Sequence, residues 1–75
     1  MAIKIGGLYQ TFAKQGGQIC AYPKTDGFFQ MLDKHIPLIV IDKCYSSDPE
    51  HPMFLCLVND KLYAIAQECI SELNV

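Results

Sequence analysis

Three short apolar runs between Ile36 and Ile70 constrain this chain more than any other feature: Pro37 to Tyr45, Met53 to Val58 and Leu62 to Ala66, divided by turn-forming residues. Runs of this length bounded by Pro, Asn and Asp read as strands of a small sheet. Pro37 disfavours helix at Ile36, so an extended run begins there. Asp48-Pro49-Glu50-His51-Pro52 is turn chemistry throughout. The two-residue turn Asn59-Asp60 places Val58 opposite Lys61, Leu57 opposite Leu62 and Cys56 opposite Tyr63. A register with Ser47 facing Met53 sets Cys44 opposite Cys56.

These registers sort the side chains onto two faces. One holds Ile39, Ile41, Lys43, Tyr45, Met53, Leu55, Leu57, Leu62, Ala64 and Ala66; the other holds Leu38, Val40, Asp42, Cys44, Phe54, Cys56, Val58, Tyr63 and Ile65. The first is expected to be the core. The second is too apolar to be fully solvated, so other segments or a partner should cover part of it.

Upstream, Gly6-Gly7 and Gly16-Gly17 open two short strands, Leu8 to Phe12 and Gln18 to Tyr22. Between Lys24 and His35 the signals conflict: Asp26-Gly27 marks a turn, whereas Phe28, Met31, Leu32 and His35 share one helical face, and a loop with one or two helical turns is expected. Leu62, Ile65, Ala66, Cys69, Ile70 and Leu73 also fit a helical stripe, which leaves an α+β alternative with a C-terminal helix over 61–73. The hairpin cue favours a strand through about Ala66 followed by a short helical turn at Gln67 to Cys69.

With 75 residues the chain makes one domain, 1–75, burying roughly 60% of the surface it exposes when unfolded. Hydrophobic residues form 51% of it and charged residues 19%, so some apolar side chains must lie on the surface. That favours association, with itself or with a protein or peptide partner, over a monomer with scattered surface hydrophobes. Six lysines spread along the chain, no arginine and a net charge of −2 argue against nucleic-acid binding. No run reaches the ~18 residues of a membrane span, and the first residues lack a signal-peptide core, so a cytoplasmic protein is expected. Without a secreted context, Cys20, Cys44, Cys56 and Cys69 read as reduced thiols.

Residues 35 to 73, with His-Ile-Pro-Leu-Ile-Val-Ile, Met-Phe-Leu-Cys-Leu-Val, Asn-Asp-Lys-Leu-Tyr-Ala-Ile and a closing Ile-Ser-Glu-Leu, resemble the second half of bacterial-type SH3-like barrels. Gly7-Leu8-Tyr9 and Ile19-Cys20-Ala21-Tyr22 are similar to the opening strands of small versions among uncharacterised tailed-phage proteins. The resemblance implies a mainly β fold, a small SH3-like barrel of about five strands with a short helical turn near the C-terminus, and a phage-encoded protein working in the host cytoplasm. Where the family has a turn Asp-Gly-Lys and a strand Gly-Trp-Val, this chain has Asn59-Asp60 and Tyr63-Ala64. It has no tryptophan, so cell-wall binding does not carry over.

Chemistry is sparse. The four cysteines contain no Cys-x-x-Cys pair, and His35 and His51 stand alone, so neither a metal site nor any other cofactor is expected. His51 near Asp48 and Glu50 is the nearest approach to a catalytic group, and it reads as a solvated loop residue. The Asp48/Glu50 and Glu68/Glu72 carboxylate pairs read as a solvated turn and a solvated end, and the Gly-Gly pairs lack the lysine of a phosphate loop. The expectation is a non-enzymatic interaction or assembly module, with Tyr9, Tyr22, Phe28, Phe29, Phe54, Tyr63 and Ile65 as candidate interaction surface. The same rings could instead fill the core and an oligomer interface. The alternative from another class is a cysteine-based metal-binding or redox-sensing protein, in which Cys44 and Cys56 would be the responsive pair.

Overall fold

The computed structural model describes residues 2–24, 28–44 and 50–73. They form seven strands: β1 (Leu8–Thr11), β2 (Gln18–Pro23), β3 (Gln30–Asp33), β4 (Pro37–Cys44), β5 (Met53–Val58), β6 (Lys61–Ala66) and β7 (Ile70–Glu72), with one 3-10 turn, Gln67–Cys69, between the last two. The order across the sheet is β3-β2-β6-β5-β4-β1-β7, and every pairing is antiparallel. The mainly β architecture, the end of β6 at Ala66 and the short turn at 67–69 agree with the sequence reading, so the α+β alternative with a helix over 61–73 is replaced by strand, turn and strand. Two short strands, β3 and β7, bring the count above the five expected.

The β5–β6 hairpin pairs Val58 with Lys61, Leu57 with Leu62 and Cys56 with Tyr63. Asn59 and Asp60 both take positive φ, 49° and 65°, the twist of a two-residue turn that matches the right-handed twist of its strands. Asn and Asp enter that region at lower cost than other non-glycine residues, which explains the turn without glycine.

In β4 the register shifts between Val40 and Asp42. The extra residue, Ile41, is a β-bulge, and it changes which residues share a face. Cys44 therefore stands opposite Met53, and Cys56 opposite Val40, so the expected Cys44–Cys56 register is corrected. Tyr45 and Ser47, used in that reading, lie outside the described residues.

The core is the face expected to be the outer one. Leu38, Val40, Phe54, Cys56, Val58, Tyr63 and Ile65 are buried with Ile19 and Ala21 of β2, Tyr9 of β1 and Ile70 of β7. The opposite face keeps Ile39 and Ile41 exposed and Leu55, Leu57 and Leu62 half-buried. One cluster drawn from β1, β2, β4, β5, β6 and β7 requires the sheet to curve around it. Two rings satisfy their phenol groups inside this arrangement: the Tyr63 hydroxyl donates to Gln30 Oε1 at 3.1 Å, and the Tyr9 hydroxyl accepts the Lys4 N–H at 2.9 Å. Gly7 is required beside Tyr9, because a Cβ there would stand 2.7 Å from the ring carbon Cε2.

Residues 30–33, expected in a loop with helical turns, form β3 instead, paired to β2 through Gln18↔Asp33, Ile19↔Leu32, Cys20↔Met31 and Ala21↔Gln30. His35 then takes φ 64° and turns the chain into β4. At that corner Thr11 Oγ1 of β1 donates to Asp33 O of β3 at 2.7 Å, joining strands that stand first and sixth in the strand order.

Candidate functional site: an aromatic ledge on β2 and β3

Side chains alternate across β2 and β3, and the pairing sets Ile19, Ala21 and Leu32 toward the core. The alternate set, Gln18, Cys20, Tyr22, Met31 and Asp33, faces outward. Tyr22 and Phe29 meet edge-to-face with ring centroids 6.4 Å apart, which fixes Phe29 on the same outer face. Phe28, Phe29, Tyr22 and Met31 are 81%, 56%, 48% and 46% exposed. The Cys20 thiol donates to the Met31 sulfur at 3.5 Å, so the ledge is sulfur-rich as well as aromatic. Gln18 Nε2 donates to Asp33 Oδ1 at 3.2 Å and closes one end with polar groups.

The ledge continues across the sheet. Tyr22 stands opposite Ala64, which stands opposite Leu55; in the next row Leu62, Leu57, Ile39 and Leu8 follow one another from β6 to β1. Beside the ledge runs an open groove of about 490 Å³ whose walls include Phe12, Cys20, Tyr22, Met53, Ala66 and Cys69. Small side chains on β6 next to bulky ones on β2 and β5 leave that channel.

Of the seven candidate interaction residues, Tyr22 and Phe29 meet at the ledge, and Phe28, the next residue in the chain, is exposed. Tyr9, Phe54, Tyr63 and Ile65 are buried and belong to the core, which corrects their assignment to a surface. Their alternation with half-buried neighbours was visible in the sequence; which parity faced inward was not. Met31 and Cys20, absent from the expected surface, join it through β3, whose helical-looking spacing concealed a strand.

A second open groove, about 980 Å³, lies along the 3-10 turn and β7 and is lined by charged and polar groups, including Lys14, His35, His51, Glu68 and Glu72. His51 Nδ1 lies 3.4 Å from Glu68 Oε2, a pairing that reaches the 3-10 turn; Asp48 lies outside the described residues. Glu68 and Glu72 are exposed, as a solvated end requires. Among the described residues no group of three or more His, Cys, Asp or Glu is placed to hold a metal ion. No helix among them is long and apolar enough to cross a membrane.

Three of the four thiols are partly or fully buried, and Cys20 is exposed. Burial pushes Cys56 up to about 12, with a smaller contribution from Cys44, and Cys56 points its Sγ at Phe54 O, 3.6 Å away. Burial, then Asp42, raises Cys44, and burial, then Glu68 and Cys20, raises Cys69. Thiols held protonated are poor nucleophiles and poor metal ligands, which applies to Cys44, Cys56 and Cys69.

Comparison with protein-family models, curated proteins and solved structures finds no match for this chain.

Proposed function

We propose that the protein is a non-enzymatic interaction or assembly module on an SH3-like scaffold, holding a protein or peptide partner at the Tyr22–Phe29–Met31 ledge. The exposed edge-to-face pair of Tyr22 and Phe29, beside exposed Met31, carries this reading: rings supply large contact area with few rotatable bonds, and contiguous exposed apolar area on a small chain marks a contact surface. The SH3-like reading is supported by the β4–β5–β6 meander, the 3-10 turn after it and the return of β7 to β1. A phage source, and with it a host cytoplasm as the place of action, rests on the resemblance of residues 7–22 and belongs to the same proposal.

The test is selection from a displayed random-peptide library, followed by amide chemical-shift mapping of the selected sequences on ¹⁵N-labelled protein. Shifts centred on 20–22 and 28–31, lost in Tyr22→Ala and Phe29→Ala, are the expected result. Shifts centred on the His51–Glu68 groove would place recognition elsewhere and overturn it.

A further inference from the structure

We infer that the ledge's occupant is a second copy of this chain, joined edge to edge through β3 in an antiparallel two-fold pairing. The inference rests on the interaction-module reading and specifies its partner.

β3 is the last strand at one side of the sheet. Its backbone direction follows from two bonds. Lys34 N donates to Gly17 O, and the alternation of antiparallel ladders then turns Leu32 and Gln30 toward β2 and Met31 away. The Thr11 hydroxyl reaches Asp33 O from the side away from β2, which agrees. The Met31 N–H and C=O thus face outward, and no hydrogen bond to them occurs among the described residues. Folded sheets protect such edges with lysine, proline or bulges, and the span Phe28 to Asp33 contains neither lysine nor proline. The opposite edge is different: β7 has three residues and ends on Glu72.

Which register a second copy takes is limited by parity. Outward-facing residues must meet outward-facing residues, and Thr11 occupies the approach to Asp33. Centring the two-fold axis on Gln30 satisfies both conditions: Phe29 of each copy pairs with Met31 of the other, and the two pairs exchange four backbone hydrogen bonds. Each ring then meets a thioether across the join, a favourable contact made twice. Charge permits the approach, since residues 28–32 carry none. Three residues from the axis, the two Asp33 side chains stand roughly 20 Å apart, beyond the ~8 Å reach of an unscreened charge. Taking ~200 Å² per side chain, the exposed fractions of Tyr22, Phe29 and Met31 offer about 300 Å² per copy. Doubled, and with Cys20 and the paired backbone added, this stays below the ~1,000 Å² of a stable specific interface and matches a weak, reversible one. The pairing is therefore a concentration-dependent dimer, closed by its own symmetry.

The experiment is sedimentation velocity over a wide dilution range under reducing conditions, on wild type, Met31→Pro and Met31→Lys, with circular dichroism on each. Proline removes an N–H that faces away from β2 and leaves the β2–β3 ladder whole; lysine is the natural edge guard and keeps the chain foldable should proline not. Wild type is expected to move from 8.4 kDa to twice that mass, and each folded variant to need at least tenfold more protein: proline through one lost hydrogen bond per copy, lysine through like charges brought together at the join. A dimer unaffected by either variant overturns edge pairing and, if Leu57→Lys abolishes it, moves the interface to the outer face of β5 while the module reading stands. A wild-type monomer at every concentration overturns the second copy as occupant; peptide binding at the ledge then keeps the module reading, and its absence removes that too.

Discussion

Thr11 and Ile36 hold each other by reciprocal hydrogen bonds: the Thr11 N–H donates to Ile36 O at 3.0 Å, and the Ile36 N–H donates to Thr11 Oγ1 at 2.9 Å. The same residue takes the His35 N–H on its carbonyl at 2.8 Å and sends its hydroxyl proton to Asp33 O. One buried threonine thus fastens the β3–β4 corner to β1. Thr11→Val keeps the shape and leaves the Ile36 N–H and Asp33 O without their side-chain partner, a loss of about 2 kcal/mol in urea unfolding. Thr11→Ser keeps the hydroxyl and is expected to lose less than about 1 kcal/mol. Equal losses in both would show that the methyl group, and not the hydroxyl, matters.

The β5–β6 turn gives a second test. Asp60 at φ 65° pays a left-handed cost that glycine does not, so Asp60→Gly is expected to gain about 0.5 kcal/mol after its larger unfolded-state entropy is deducted. Asp60→Val, branched at Cβ, is expected to lose about 1–2 kcal/mol. Thermal unfolding of the pair measures both, and a stabilising valine would contradict the turn.

Face assignment is measurable by matched truncation. Ile65 is fully buried and Ile39 is 39% exposed, although both are strand isoleucines. Ile65→Ala should lose about 3 kcal/mol and Ile39→Ala under about 1. The reverse order would restore the other face as the core.

Thiol chemistry reports the same packing. With a colorimetric disulfide reagent on the native protein, exposed Cys20 is expected to react first, half-buried Cys44 and Cys69 more slowly, and Cys56 only on unfolding. The pH dependence has a definite sign. Cys56 ionises near 12 when folded and near the ordinary thiol value of 9.0 when unfolded, so its contribution to stability is complete below about pH 9 and is lost as pH rises toward 12. Denaturant midpoints taken at pH 8, 9 and 10 should fall over the last step, and Cys56→Ala should flatten that fall.

Much of the fold was legible wherever short-range chemistry decides it. Asn59-Asp60 specifies its turn and through it three cross-strand pairs, and the break at Gln67 follows from strand pairing that runs out at Ala66. The parity of the core was not legible: both faces of β5 and β6 are apolar, and only the pairing of β1 and β2 onto the sheet decides which side is enclosed. The bulge at Ile41 carries no glycine to announce it. β3 is hidden because Phe28, Met31, Leu32 and His35 satisfy a helical spacing, while the partner that makes residues 30–33 a strand is β2. For the site, aromatic content pointed to a surface, and Tyr22, Phe28 and Phe29 were recoverable; Tyr9, Phe54 and Tyr63 were indistinguishable from them until burial separated the two groups. The contact of His51 with Glu68 on the 3-10 turn, distant in sequence, carries no local signal.

β1 lies between β4 and β7, with Gln10 and Ser71 joined across a separation of 61 residues. In refolding, the β4–β5–β6 meander can pair early, since each strand follows its neighbour directly. β1 waits longest: one of its edges stays open until Ile70–Glu72 docks on it, so the seam that closes last joins the two most distant strands of the sequence.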